Sequence, residues 1–441
     1  MEIVDKSIDS VVKSGLCTSC GLCGASCSSR AITFDQIDGS RLPHIGRNCT
    51  NCGICMKICP GTGDALANVP GVLTERMIGN VIASWSAWSH DEKIFANAVS
   101  GGIVTQLIKS LLEANVYDAA FLVDGVTQAK DCVTSRFSKD DSLYNSQKSK
   151  YVQVSHENTL KYMLAHRDER LIITAVPCAT RGLLNAIGLF GLTRENYLFL
   201  GLFCDKTMTS NSLNYLASCG NGESLVRIDF RTKAASGWPG DVQLCYQGAK
   251  TIDLPSTVRM RVKEYFQPEC CLYCMDKLNV RSDISIGDNY TGDGANPKGA
   301  CSVLIRTKTG EQAWELCSPC IECIPSDLDA IAKSQSLLAR CENYHFGLLK
   351  ELRDDYYLDG KLNQSLALSN VPKASNNIAK HYANRLKKIQ IGKSYSNNAK
   401  GLERELKKQN LVSQYIIGRC KSLFRKMLRK CKRKNHRIFS R

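Results

Sequence analysis

Apolar residues recur along this chain in two rhythms. Ile103, Leu107, Ile108, Leu111 and Leu112 fall three and four apart, which predicts a helix over residues 106–114 with one apolar stripe. Residues 211–218 read as a second helix, and a third begins at Ala179. Short apolar runs at residues 118–123, 171–174, 197–203 and 302–307 have the length of buried strands, while 225–230 alternates as a half-exposed one. Further strands are predicted over 31–34 and over 281–288, the latter closing on Gly287-Asp288. Pro70-Gly71 and Gly237-Trp238-Pro239-Gly240 break the pattern. Strands alternating with helices predict a mixed sheet flanked by helices. No apolar run approaches the ~18 residues needed to span a bilayer.

With 441 residues the chain exceeds one core, and the pattern divides it into a small unit (1–68), a connector (69–84), a large unit (85–370) and a tail (371–441). Charge sharpens the last boundary. Residues 371–441 hold 21 Lys and Arg against Glu403 and Glu405, a net of +19, so the total of +16 leaves −3 for everything before them. Leu411, Tyr415, Ile416, Leu423, Phe424, Met427 and Leu428 lie among these cations, a spacing that permits an amphipathic helix with a basic face. Such a helix suits peripheral contact with the inner face of a membrane; a solvated, disordered tail is the alternative, and nucleic acid is a weak match without a recognition fold. Met1-Glu-Ile-Val-Asp5 is unlike a secretory signal, so the 23 cysteines point to a reducing cytoplasm where thiolates serve metals.

The cysteines carry the chemistry. The run Cys17-Thr-Ser-Cys20-Gly-Leu-Cys23-Gly-Ala-Ser-Cys27 and the run Cys49-Thr-Asn-Cys52-Gly-Ile-Cys55-Met-Lys-Ile-Cys59-Pro60 repeat one spacing, two, two, then three intervening residues. Three thiolates on a short loop wrap three corners of an iron–sulfur cube, and the fourth reaches the other cube. Two 4Fe-4S clusters with crossed ligation are therefore predicted, one on Cys17, Cys20, Cys23 and Cys59, the other on Cys49, Cys52, Cys55 and Cys27. Gly21 and Gly53 stand where the backbone must turn around each cube. Ser28 replaces the proline that usually follows the fourth cysteine. Elsewhere Cys178 and Cys204 each follow a predicted strand, the position at which open α/β sheets build sites. Cys317, Cys320 and Cys323 lack a fourth partner, and the seven histidines form no close pair.

Several pieces of the large unit, in order, resemble the family of coenzyme F420 hydrogenase and dehydrogenase beta subunits, whose members often carry a ferredoxin unit in front. They are Ser100-Gly101-Gly102, Ser149-Lys150-Tyr151, Pro177-Cys178, Cys204, Phe230-Arg231 with Gly237-Trp238, Cys271-x2-Cys274, and the stretch from Arg281 to Asp288. The resemblance implies a small α+β dicluster ferredoxin domain, then a large mixed-sheet α/β flavin domain; the basic, partly helical or disordered tail after them is read from its own composition. It implies FAD, with Ser100, Gly101, Gly102 and Thr105 at its phosphates and Lys150, Tyr151, Arg281 and Asp288 around it. It implies a third cluster in some members, here on Cys178, Cys204, Cys271 and Cys274. The chain departs from the family at Ala175-Val176-Pro177-Cys178-Ala179 and at Cys204-Asp205-Lys206, where Gly-Thr-Pro-Cys-Gln and Cys-His-Gly are usual. The expected function is an iron–sulfur flavoprotein oxidoreductase acting on a small substrate, coenzyme F420 or a polysaccharide-pathway intermediate, with a ferredoxin-like donor. The alternative is a non-catalytic electron-transfer subunit; no residue is singled out as catalytic.

Overall fold

Both cysteine runs turn on left-handed backbone at matching positions, Ser19 and Gly21 in the first, Asn51 and Gly53 in the second. Glycine and asparagine tolerate that conformation, whereas Ser19 adopts it against its own Cβ. Helices Leu22–Ala25 and Ile54–Ile58 start directly after the two glycines and present the third cysteine of each run. Between the runs lies a hairpin, β1 (Ile32–Ile37) and β2 (Ser40–Ile45), turning at Asp38 and Gly39. Only its first strand is legible in sequence, because Pro43 in the middle of β2 has no N–H to give the ladder and so argues against a strand.

The structure, a computed structural model, describes residues 7–62, 65–66, 69–126, 132–220, 225–234, 236–292, 296–343, 376–395, 398 and 400–408. The large unit holds β3 (Ala83–Ser89), β4 (Ala119–Val123), β5 (Thr134–Phe137), β6 (Leu171–Ala175), β7 (Tyr197–Leu202), β8 (Leu225–Thr232), β9 (Asp241–Tyr246), β10 (Thr251–Leu254), β11 (Ile284–Asp288), β12 (Cys301–Ile305) and β13 (Ile321–Pro325). Eight form one sheet in the order β13-β3-β12-β11-β7-β6-β4-β5, and β10-β9-β8 form a second. In the large sheet β4, β6, β7 and β11 run parallel. Since β12 opposes both β11 and β3, β3 points the same way as the parallel set. The mixed sheet is as expected. The sequence pattern misses β3, whose alternate residues are serines. Ser86 is buried and accepts a hydrogen bond from Asn289, and Ser84 donates to the Ser326 carbonyl, so these serines face polar partners where an apolar layer would be looked for.

Helix Ile103–Glu113 buries its expected stripe against the sheet. Helix Pro177–Phe190 follows β6 with Pro177 in its first turn, where the missing N–H costs nothing. It touches the ferredoxin unit closely: a Cβ on Gly182 would stand 2.5 Å from Leu22 and 3.2 Å from Pro60. The tail departs from its expectation. Helix Asn376–Ser394 lies on the body, with Ile389 buried against Leu272, Arg385 bonded to Gln267, Lys388 paired with Glu264 and Lys393 with Asp38 of the hairpin turn. Leu402 and Leu406 are buried against the second sheet's core. The basic count of residues 371–441 hid this, because its few apolar residues are spaced to cover one face. The amphipathic stretch expected over 411–441 lies outside the described residues.

Candidate functional site

The eight amino-terminal cysteines fall into two groups. Burial and the nearby thiols of Cys20, Cys59 and Cys17 push the Cys23 thiol well up, and burial likewise raises Cys55, helped by Cys52, Cys49 and Cys27. Cys23 also feels Cys55, so the groups are neighbours. Burial pushes Cys17 up to about 12, which leaves it a neutral thiol until something displaces the proton. Backbone N–H groups point at the sulfurs: Ser19 at Cys17 (3.4 Å), Ala31 at Cys27 (3.3 Å), Asn51 at Cys49 (3.4 Å) and Gly61 at Cys59 (3.3 Å). Donors of this kind stabilise negative sulfur and raise a cluster's reduction potential. Among the described residues no Cys, His, Asp or Glu side chains close tightly enough to hold a single ion. Groups of four thiols with backbone amides aimed at their sulfurs fit iron–sulfur ligation.

A further group forms inside the large unit. Cys178 stands in the first turn after β6, Cys204 just beyond β7, and Cys271 and Cys274 in and just after a short helical turn. Burial raises Cys178 first, and Cys274, Cys204, Cys271 and then Cys20 raise it further, so the four sulfurs face one another and Cys20 of the amino-terminal unit adjoins them. Cys270, beside them, hydrogen bonds Cys271 and favours its thiolate. Arg181, one turn along from Cys178, acts on Cys20, Cys59 and Cys274 together. The contact with the amino-terminal unit is fixed by the His156 amide donating to the Cys20 carbonyl (2.8 Å) and by Arg41 pairing with Glu157 (2.7 Å). The cysteine groups thus form a row, from Cys55 through Cys23 and Cys20 to Cys178.

The carboxyl edge of the sheet lies beyond. Ser100 donates to the Ala300 carbonyl, and a Cβ on Gly101 would overlap the Ala87 carbonyl, so only glycine lets this turn press on β3 and β12. Gly102 is left-handed and opens helix Ile103–Glu113. Thr105, a turn further on, lines a separate hollow with Lys93, Lys109 and Tyr144. Asp288 ends β11, binding Arg231 and accepting from Tyr290 (2.9 Å). Tyr151 meets Arg231 at 3.3 Å. Ser100, Gly101, Gly102, Tyr151 and Asp288 therefore belong to one edge.

Three of the expected flavin residues, Thr105, Lys150 and Arg281, do not. Lys150 directs its buried ammonium at the carbonyls of Asn145, Ser146, Gln147 and Lys148, which occupy all its donors, so it staples that loop. Arg281 precedes β11 and donates to the Ala65 carbonyl (3.3 Å), on the order of 20 Å of strand away from Asp288. Sequence reasoning also missed Lys233, which donates to the carbonyls of Phe95, Ser100 and Lys298, and Trp238 with Tyr290, whose rings lie 5.3 Å apart. The Gly-Trp-Pro-Gly break was the available signal for Trp238. Its buried Nε1 has no acceptor among the described residues, and a Cβ on Gly299 would come within 2.5 Å of its ring. An unanswered donor on an aromatic wall, beside a glycine turn pressed to the sheet, fits a planar ligand rich in acceptors, as a flavin is.

Residues 84–161 match the family model for the N-terminal part of the coenzyme F420 hydrogenase/dehydrogenase beta subunit, residues 168–325 the model for the C terminus of the same protein, and residues 16–62 the 4Fe-4S dicluster domain. A coenzyme F420-dependent sulfite reductase of Methanocaldococcus jannaschii is 24% identical over 69% of this chain, which spans 46% of that protein's length. One of the subunits of an F(420)H(2) dehydrogenase of Methanosarcina mazei is 24% identical over 70% of the chain and 84% of its own, and the beta subunit of a coenzyme F420 hydrogenase of Methanosarcina barkeri 25% identical over 55% and 81%. A solved F420-reducing [NiFe] hydrogenase complex from Methanosarcina barkeri aligns over 59% of this chain and 89% of its own at a TM-score of 0.45 and 18% identity.

Proposed function

Because the chain belongs to the family of coenzyme F420 hydrogenase/dehydrogenase beta subunits, with a 4Fe-4S dicluster domain in front, we propose that it is an iron–sulfur flavoprotein oxidoreductase passing electrons between 4Fe-4S clusters and FAD. The observation that carries this is the row of three cysteine groups, which ends beside the sheet edge bearing Ser100, Tyr151 and Asp288. When bound, the clusters supply one-electron steps and the flavin joins them to two-electron chemistry. The chain's own residues do the rest. Cys17, Cys20, Cys23 and Cys59, then Cys49, Cys52, Cys55 and Cys27, bind two clusters; Cys178, Cys204, Cys271 and Cys274 bind a third. Amides aimed at sulfur and the Arg181 cation favour added negative charge. The Tyr151 phenol, beside Arg231, holds a proton at the edge where substrate enters.

The substrate is a small organic acceptor, coenzyme F420 or a polysaccharide-pathway intermediate, and the relatives' printed names support the former. The test is anaerobic purification with iron, sulfide and flavin counted per chain. Three clusters and one FAD are expected; a colourless protein, or one holding zinc, overturns the reading. A second reading, a relay subunit within a larger complex, is favoured by the two relatives named as subunits. Turnover of a viologen by the isolated chain separates the two, since a pure relay gives none with the organic substrate. Among the described residues no helix is long and apolar enough to cross a membrane. Peripheral contact with the inner face of the cell membrane, through the basic residues beyond 408, is tested by vesicle flotation with and without them.

A further inference from the structure

Beside Tyr151, two arginines hold buried N–H groups that no acceptor among the described residues answers: Arg231 through Nη2 and Arg259 through Nε. Arg231 is 2% exposed and Arg259 6% exposed. Both converge on Tyr151. Arg231 Nη1 is 3.3 Å from the phenol oxygen, and the Arg259 guanidinium lies 5.1 Å from the ring centroid, with Lys263 at 5.2 Å. Arg231 spends Nε on the Pro239 carbonyl and Nη1 on Asp288. Arg259 has no ion pair among the described residues; its guanidinium meets the Tyr151 ring.

The surrounding charge does not cancel. Asp205 is shared by Lys206, Lys263 and Arg340, with Lys277 also acting on it, Asp288 is taken by Arg231, and Glu264 near Lys206 is paired with Lys388, so cations outnumber carboxylates here. Arg340 and Lys263 act on the Cys204 group, whose thiolates and sulfides would give a bound cluster net negative charge. That accounts for those two and leaves Arg259 unanswered. A buried guanidinium without a counter-charge is costly, and a carboxylate or phosphate answers it with paired, charge-assisted hydrogen bonds. Burial opposes ionisation of Tyr151, yet Arg231, Arg259 and Lys263 together hold its phenol below the ordinary tyrosine value, which suits a group placed to exchange a proton.

We infer that Arg259 and Arg231, with Tyr151 between them, form a binding site for an oxyanion, a phosphate or carboxylate group, next to the Cys204 group. The site itself stands on the two arginines; only the identity of its ligand, flavin phosphate or acidic substrate, rests on the function proposed above. The test uses the full chain purified without oxygen, as Arg259→Gln, Arg259→Lys and wild type, with iron and sulfide counts confirming intact clusters. Binding of FAD, of riboflavin, which has no phosphate, and of inorganic phosphate and acetate to the purified protein is measured by calorimetry. Arg259→Gln is expected to weaken oxyanion binding by about tenfold to a hundredfold, with partial rescue in Arg259→Lys. A loss confined to FAD, riboflavin unchanged, makes the flavin phosphate the ligand. A loss confined to phosphate or acetate, FAD unchanged, makes it an acidic substrate. Wild type that binds phosphate through Arg259 but no flavin keeps the site and rejects the flavoprotein reading. Equal binding of all four ligands by wild type and Arg259→Gln overturns the inference.

Discussion

Arg181 is a cation that reaches two cysteine groups, acting on Cys20 and Cys59 on one side and Cys274 on the other. A fixed cation favours the reduced, more negative form of whatever those sulfurs bind, by about 1–2 kcal/mol at interior separations. Arg181→Gln should therefore lower the reduction potentials of both groups while leaving the iron count unchanged, which a spectroscopic redox titration reads. Cys178→Ser should remove one cluster's share of iron and sulfide and leave the other two intact; loss of all iron would show that the group is structural. At this scale the sequence was legible where spacing carries the chemistry, as in the eight amino-terminal cysteines. It was not legible where one side chain's orientation decides. Lys150 and Arg281 have the charge expected beside a flavin, but one spends its donors on four carbonyls and the other bonds Ala65. Arg259 lies on helix Ser256–Val262 between Val258 and Met260, and only folding shows that it is buried.

Among the elements, helix Pro177–Phe190 joins the two units. It carries Cys178 in its first turn and presents Gly182 to Leu22, Ile58 and Pro60. Gly182→Leu should force the helix off the ferredoxin unit, costing about 1–3 kcal/mol and slowing electron transfer between the groups on either side. Rapid-mixing kinetics with a one-electron donor checks the second effect. A polar clasp supports the same contact. Burial opposes the charge on Glu157, but hydrogen bonds from Lys161 and Arg41 outweigh it and hold the carboxyl below its ordinary 4.5. The pair's contribution is complete above that value and fades as the pH falls below it. Glu157→Gln should therefore destabilise the protein by about 1 kcal/mol at pH 7 and by less at pH 4, measured by denaturant melts. The strands that sequence recovered are β1, the uniformly apolar β4, β6, β7 and β12, the half-exposed β8, and β11 with its Gly-Asp end. It missed β5, β9, β10 and β13, and also β2 with its proline and β3 with its serines, two strands that break the local rule for a reason visible only in three dimensions.

Over the whole molecule, the body is a mixed sheet whose carboxyl edge gathers residues from positions 100 to 300, and the amino-terminal unit docks beside that edge. Stripping iron with a chelator should unfold the amino-terminal unit first, because its small apolar core of Ile8, Val11 and their neighbours is completed by the cysteines themselves. The sheet beneath it, with its own large core, should persist, and proteolysis of the stripped protein should cut before residue 70. The overall plan was readable because strand and helix periods alternate clearly in the large unit. The fate of residues 376–408 was not, since a segment so rich in lysine gives no local sign that Ile389, Leu402 and Leu406 find a surface.

Lys393 reaches Asp38 at the tip of the hairpin that separates the two cysteine runs. Ribosomal synthesis makes that hairpin early and its clasp late. Because residue 393 is made about 350 positions after residue 38, this clasp can form only once the whole sheet between them has been synthesised.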